Sequence, residues 1–210
     1  MGDYEQTVYI VDDDIAILDS LKLLLESNSL PVRVYQRAES FLQDFEPQCR
    51  GCLVLDFGLP GMDGLELQNE LFAIGSLLPI IFITGKADVP MAVQALKSGA
   101  YEFLQKPCTA EALLRVIHDA LEFNARQANE WRERQSIEKR LEKLSPRELE
   151  VLDYIVRGQP NKVIALELDL SQRTVEIYRS NMMQKMQVDS LAQLVQQMTR
   201  LPRPLDSPQV

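Results

Sequence analysis

Three short apolar runs in the first half of the chain each end on a charge. Val8-Tyr9-Ile10-Val11 leads into Asp12 and Asp13, Cys52-Leu53-Val54-Leu55 into Asp56, and a run beginning near Tyr101 into Lys106. Each run has the length of a buried strand and carries its charge at the C-terminal end. In an open parallel sheet those ends lie together, and ligands bind in the crevice outside them. A chain patterned this way gathers three carboxylates and one ammonium in one pocket.

The segments between the runs support that sheet. Ile15, Ile17, Leu18, Leu21, Leu24 and Leu25 recur at helical spacing after the first run. Val32 to Tyr35 reads as a strand and Ala38 to Phe45 as a short helix. Leu59-Pro60-Gly61-Met62-Asp63-Gly64 is a turn, followed by helical spacing from Leu65 to Phe72. Pro79 to Thr84 is β-branched and aromatic, as in a strand buried on both faces. Pro90 to Lys97 is helical, and Tyr101 to Leu104 is a fifth strand. The pattern predicts an α/β domain with a doubly wound, five-stranded parallel sheet over residues 1–124.

A last helix starts near Thr109. Its apolar stripe thins beyond Phe123 to Ala128, Trp131, Ile137, Leu141 and Leu144, so 125–143 reads as a helical linker. A second domain, 144–200, opens at Ser145-Pro146-Arg147-Glu148, a cap residue followed by Pro and by Glu at the third helical position. Leu149, Leu152, Ile155 and Val156 form the expected apolar face of that helix, and Gly158 ends it. Asn161 is the expected cap of a second helix through Leu168. Ser171 caps a third reaching Met186, and Ser190 to Met198 is a fourth. The expectation is an all-α, four-helix domain with a disordered tail over 201–210.

Charge follows the same division. Residues 1–130 hold 20 acidic and 9 basic side chains, and 145–210 hold 8 of each. Any contact with nucleic acid therefore belongs to the second half. No apolar run approaches the roughly 18 residues of a membrane span, and the acidic N-terminus is unlike a signal peptide. A cytoplasmic location with no membrane partner is expected. Three cysteines do not make a disulfide scaffold, and with one His they offer no convincing zinc site. Cys49-x-x-Cys52 has redox-pair spacing, but Cys52 begins a strand where a small apolar thiol fits without special purpose.

A carboxylate cluster suits Mg²⁺, a hard cation that takes oxygen ligands. Without a cation, Asp12, Asp13 and Asp56 would repel one another. A carboxylate in such a site can attack a phosphoryl group. Lys106 can pair with the phosphate as a point charge, and Thr84 can donate its hydroxyl to it.

The first domain resembles the flavodoxin-like receiver domain of two-component response regulators. The resemblance rests on Val11-Asp12-Asp13-Asp14, Leu55-Asp56, Leu59-Pro60-Gly61-Met62-Asp63-Gly64, Ile83-Thr84-Gly85 and Gly99 through Pro107. It implies that Asp56 accepts phosphate from a sensor histidine kinase. It implies further that Asp12, Asp13, Asp56 and the Gly58 carbonyl hold Mg²⁺. Thr84 and Lys106 would contact the phosphoryl group, and Phe103 stands at the aromatic switch position beside Thr84. Cys108, directly after Lys106-Pro107, stands where an aromatic is common in that family.

The second domain resembles a LuxR-type helix-turn-helix through Leu144 to Leu152, Gly158 to Ala165 and Leu170 to Glu176. With Gly85 through Val93, the whole chain resembles the FixJ-like branch of the NarL/FixJ family. The implied partners are double-stranded promoter DNA and a second copy of the chain on phosphorylation. A helix starting at Ser171 can enter the major groove with its N-terminal residues leading. Lys162, Arg173, Arg179 and Lys185 are candidates for phosphate contact. Glu176, Ile177 and Ser180 could meet base edges, and Thr174 joins the DNA-binding set. Tyr178 departs from the family, which often has His there. Two other readings stay open: a haloacid-dehalogenase-like phosphatase, which would want a second Asp two residues after Asp56, and a DNA-binding protein that works without phosphorylation.

Overall fold

A computed structural model describes residues 6–85 and 89–201. Residues 86–88 of the Gly85–Val93 motif, and the expected tail from residue 202 onward, lie outside the described residues. Two compact units divide between Asn129 and Glu130.

The first unit is built from β1 (Thr7–Val11), α1 (Ile15–Ser27), β2 (Val32–Tyr35), α2 (Ala38–Asp44), β3 (Gly51–Asp56), α3 (Gly64–Ala73), β4 (Ile80–Thr84), α4 (Val89–Lys97), β5 (Glu102–Gln105) and the start of α5 (Ala110–Leu141). All strand pairs are parallel, in the order β2-β1-β3-β4-β5. The order reverses beside β1, which makes the crevice outside β1 and β3 the topological switch point. The register aligns Val11 with Leu55, Asp56 with Ile83, and Thr84 with Gln105.

Side chains alternate across the strands and feed two apolar layers. Val8, Ile10, Val54, Ile81 and Ile83 pack against Leu18 and Leu25 of α1 and Leu113 and Ile117 of α5. Tyr9, Val11, Leu53, Leu55 and Phe82 pack on the other face against Phe41, Leu67, Leu71 and Ala95. Asp14 caps α1 by accepting from Ala16 N at 2.9 Å. Asp63 and Glu66 form a capping box at the start of α3. There Gly64 lies so close to β3 that a Cβ would stand 2.8 Å from the Asp56 carbonyl oxygen.

The second unit contains the end of α5, α6 (Pro146–Val156), α7 (Asn161–Glu167), α8 (Gln172–Met186) and α9 (Leu191–Thr199). Its core joins Val151, Leu152, Ile155, Ile164, Val175, Met182, Met186 and Leu194.

Several expectations shift. β5 begins at Glu102, one residue later than the apolar run. In α6 the buried face is Glu148, Val151, Leu152 and Ile155, whereas Leu149 and Val156 are exposed. The buried set keeps i, i+3, i+4, i+7 spacing, and the capped glutamate points inward. Pro160, not Asn161, is the residue before α7, and no side chain caps that helix. Ile137 and Leu141, expected in a linker, pack into the helical core, as does Leu201. Trp131 of the expected stripe is exposed.

Candidate functional site

The strand ends bring four of the expected groups into one place. Lys106 Nζ donates to Asp12 Oδ2 at 2.6 Å and to Asp56 Oδ1 at 2.8 Å. The other Asp56 oxygen accepts from Gly58 N at 2.7 Å, and Asp12 Oδ1 accepts from Asp14 N at 3.0 Å. The Lys106 amide donates to the Thr84 carbonyl at 2.8 Å, which ties the lysine to the end of β4.

Burial and charge oppose each other here. Asp12 is 3% exposed. Burial pushes its carboxyl above the usual range, against the pull of Lys106 and the Asp14 amide. For Lys106, burial is the largest single influence and lowers the ammonium. The bonds and charges of Asp12 and Asp56 together outweigh it and raise the group. The pocket therefore holds a firmly protonated lysine between two carboxylates.

Asp13, next in the chain to Asp12, is exposed. Among the described residues, no three His, Cys, Asp or Glu side chains converge as a metal cluster. The donor chemistry nevertheless fits a hard cation. Asp12, Asp13, Asp56 and the Gly58 carbonyl present only oxygen, and Asp12 and Asp56 already draw an ammonium between them.

Thr84 is buried at the end of β4. Phe103 is partly buried and lies across from Phe82, with ring centroids 6.4 Å apart. Two-residue alternation turns Thr84 to the same sheet face as Phe82, and hence as Phe103. Cys52 is buried among apolar residues, which pushes its thiol up to about 12. A thiol so protonated does not suit redox exchange with Cys49. Cys108 packs against the apolar layer beneath α5.

In the second unit, Ser171 caps α8 by accepting from Thr174 N at 3.0 Å. The Thr174 hydroxyl lies 2.7 Å from that of Ser171, so it serves the cap. Arg173, Glu176, Ile177 and Ser180 are exposed along one face of α8, and Lys162 is exposed on α7. Arg179 is half-buried and donates to Asn161 Oδ1 at 3.2 Å. Lys185 donates to the buried Glu148 at 2.6 Å. The same Glu148 oxygen accepts from Ser145 N at 2.7 Å. Thus Lys185 is occupied within the fold, and Arg179 partly so. The Glu148 signal was visible as a capping box, but its ion pair joins residues 37 apart in sequence.

Two further residues gave no local signal. Buried Asn124 of α5 accepts from Gly51 N at 3.0 Å and donates to the Leu77 carbonyl at 2.8 Å. Glu39 of α2 reaches the loop after β3.

Comparison with known proteins agrees with this layout. Residues 8–118 match the response regulator receiver domain, and residues 142–198 match the bacterial regulatory proteins of the luxR family. The chain belongs to the NarL/FixJ family of response regulators. It is 43% identical over 201 residues to the response regulator protein TmoT of Ectopseudomonas mendocina, covering 96% of this chain and 91% of that one. It is 44% identical over 188 residues to the transcriptional regulatory protein FixJ of Azorhizobium caulinodans, covering 90% and 89%. The solved response regulator StyR superposes with a TM-score of 0.84 at 42% identity, over 94% of this chain and all of that one. This NarL/FixJ-family chain is accordingly a phosphorylation-dependent, DNA-binding regulator of transcription and not an enzyme, which removes the phosphatase reading. Receiver domains of its family work by Mg²⁺-dependent phosphotransfer in general. Among the described residues, no helix is long and apolar enough to cross a membrane.

Proposed function

We propose that Asp56 accepts a phosphoryl group from the phosphohistidine of a sensor histidine kinase, and that the modified chain pairs with a second copy to bind promoter DNA in the cytoplasm. The observation that carries this reading is the Lys106 ammonium bridging Asp12 and Asp56. It puts a cation beside a carboxylate at the switch point of the sheet. An Asp56 oxygen attacks phosphorus and forms an acyl phosphate as the phosphorus–nitrogen bond to the kinase histidine breaks. Lys106 is placed to follow the incoming negative charge, and the Gly58 amide holds an Asp56 oxygen in position. Asp12, Asp13, Asp56 and the Gly58 carbonyl would hold Mg²⁺, which supplies neutralisation of the phosphoryl oxygens when bound.

The Thr84 hydroxyl would then turn toward the phosphoryl group, and Phe103 would settle into the space behind it. Val93 and Leu96 of α4 are 42% and 44% exposed, an apolar surface available to a second copy. For DNA, Arg173 and Lys162 are the phosphate contacts, with Arg179 contributing through the bond it shares with Asn161. Glu176, Ile177 and Ser180 face base edges. Thr174 acts through the cap of α8, and Lys185 through Glu148. We assign the receiver to residues 1–124 and DNA binding to 144–200, with the preceding turns of α5 supporting the helical core.

Incubation with acetyl phosphate and Mg²⁺, followed by intact mass and sedimentation, tests this function. One added phosphoryl group together with a shift from monomer to dimer is expected. DNA binding that is equally tight without any adduct would favour a regulator independent of phosphorylation.

A further inference from the structure

The loop after β3 carries Gly58 and is held from outside by one carboxylate. Glu39, in the first turn of α2, accepts from Met62 N at 3.2 Å across 23 residues of sequence. The approach is close: a Cβ on Gly61 would lie 2.8 Å from Glu39 Oε1. Gly61 also has φ +85°, a conformation that favours glycine. The ends of the loop are fixed by other means. At one end, the Gly58 amide binds Asp56 and Leu59 is buried in the apolar layer. At the other, Gly64 N donates to the Phe57 carbonyl at 3.2 Å and Asp63 caps α3. Between them, among the described residues, the bond to Glu39 ties the loop's apex to a different element.

We propose that Glu39 is a positioning residue for phosphorylation of Asp56: by holding Met62 it fixes the loop, and with it Gly58, whose amide binds Asp56 and whose carbonyl is the Mg²⁺ ligand proposed above. This rests on the reading of Asp56 and Gly58 given above. Glu39 itself touches neither Asp56 nor the phosphoryl group. The carboxylate is suited to the task because bonds from its own amide and from Met62 hold it below the usual range, so it stays ionised and acceptor-only. Its second oxygen is buried without a partner, so Met62 is the residue outside α2 that the carboxylate holds.

Three substitutions in the full chain separate positioning from charge. Glu39→Gln keeps the acceptor and loses the charge. Glu39→Asp keeps the charge but falls one methylene short of Met62. Glu39→Ala loses both. Mg²⁺ affinity is read by calorimetry without any phosphodonor, and hydrogen exchange is followed over residues 57–63. Outer partners of metal sites typically contribute tenfold or more to affinity. Glu39→Ala and Glu39→Asp should therefore weaken Mg²⁺ binding about tenfold and speed exchange in the loop. Glu39→Gln should stay at the wild-type values. Equal weakening in Glu39→Gln and Glu39→Ala would assign the effect to charge and overturn the proposal. So would faster exchange with unchanged Mg²⁺ affinity, because the loop would then not act on the site. If Glu39→Ala does not fold, the contrast between Gln and Asp decides. Failure of the phosphorylation reading is distinguishable: it shows as a wild-type chain that binds Mg²⁺ but gains no adduct.

Discussion

Lys106 and Gly58 divide the carboxylate of Asp56 between them. The ammonium takes Oδ1 at 2.8 Å and the amide takes Oδ2 at 2.7 Å. Both oxygens are thus oriented before any phosphodonor arrives. Asp56→Asn preserves the shape and removes the nucleophile. It should show no added phosphoryl group by intact mass after incubation with acetyl phosphate and Mg²⁺. A full adduct on this variant would falsify the assignment of Asp56.

Asp12 contributes an electrostatic cost to the metal-free fold. Burial raises its folded pKa above the unfolded value, so the folded state binds the proton more tightly. The cost is present when the group is ionised above its folded pKa and fades as pH falls toward the unfolded value of about 3.9. Asp12→Asn should therefore raise the melting temperature at neutral pH without Mg²⁺, and the gain should shrink in acid. Added Mg²⁺ should stabilise the wild type more than the variant, which keeps Asp13, Asp56 and the Gly58 carbonyl but loses one ligand charge. A variant less stable than wild type at neutral pH would mean that the bond to Lys106 outweighs burial.

The Glu148–Lys185 pair should matter more than its surface counterpart. The Glu148 side chain is 4% exposed, whereas Arg147 and Glu150 are 53% and 44% exposed. Lys185→Met leaves a buried carboxylate without its cation and should cost about 3 kcal/mol in denaturant unfolding. Arg147→Ala should cost at most about 1 kcal/mol. Burial alone would raise the Glu148 carboxyl. The bonds from Lys185 and Ser145 outweigh it and hold the group below the usual range. Its contribution is complete above the unfolded pKa of about 4.3 and is lost as pH falls through the lower folded value. That acid loss should be much weaker in Lys185→Met, so equal acid sensitivity in both proteins would contradict the pairing.

Arg173 and Ser180 share the exposed face of α8 but differ in chemistry. Arg173→Ala should weaken binding to every duplex and lower the salt slope by roughly 1. Ser180→Ala should leave nonspecific binding alone and narrow the gap between matched and scrambled sites, by at most about 1–3 kcal/mol. Lys185→Met should not change the slope, because its ammonium already serves Glu148. Isotherms at several salt concentrations read all three. An unchanged slope in Arg173→Ala would mean that α8 docks by another face.

Much of the architecture was legible from local pattern. Strand-length apolar runs ending in Asp12, Asp56 and Lys106 predicted a parallel sheet with its charges at one edge. The observed order and register put those charges together. Ser145 and Ser171 announced helix starts because a cap acts within three residues of itself. Misses at that scale were small. The inward face of α6 includes Val151 and Glu148 rather than Leu149 and Val156, since a charged residue that finds a cation to pair with can occupy a core position.

The sequence by itself determined the element order, the strand-end chemistry and the caps, because each depends on neighbours a few residues away. Tertiary structure alone decided which charges are free and which are spent. Lys185 and Arg173 are both basic side chains on one helix, yet one is neutralised by Glu148 and the other faces outward. Asn124 bonding Gly51 and Leu77, and Glu39 holding Met62, likewise have no local signature. A long-range polar bond depends on where folding brings two distant segments, and apolar periodicity carries no record of it.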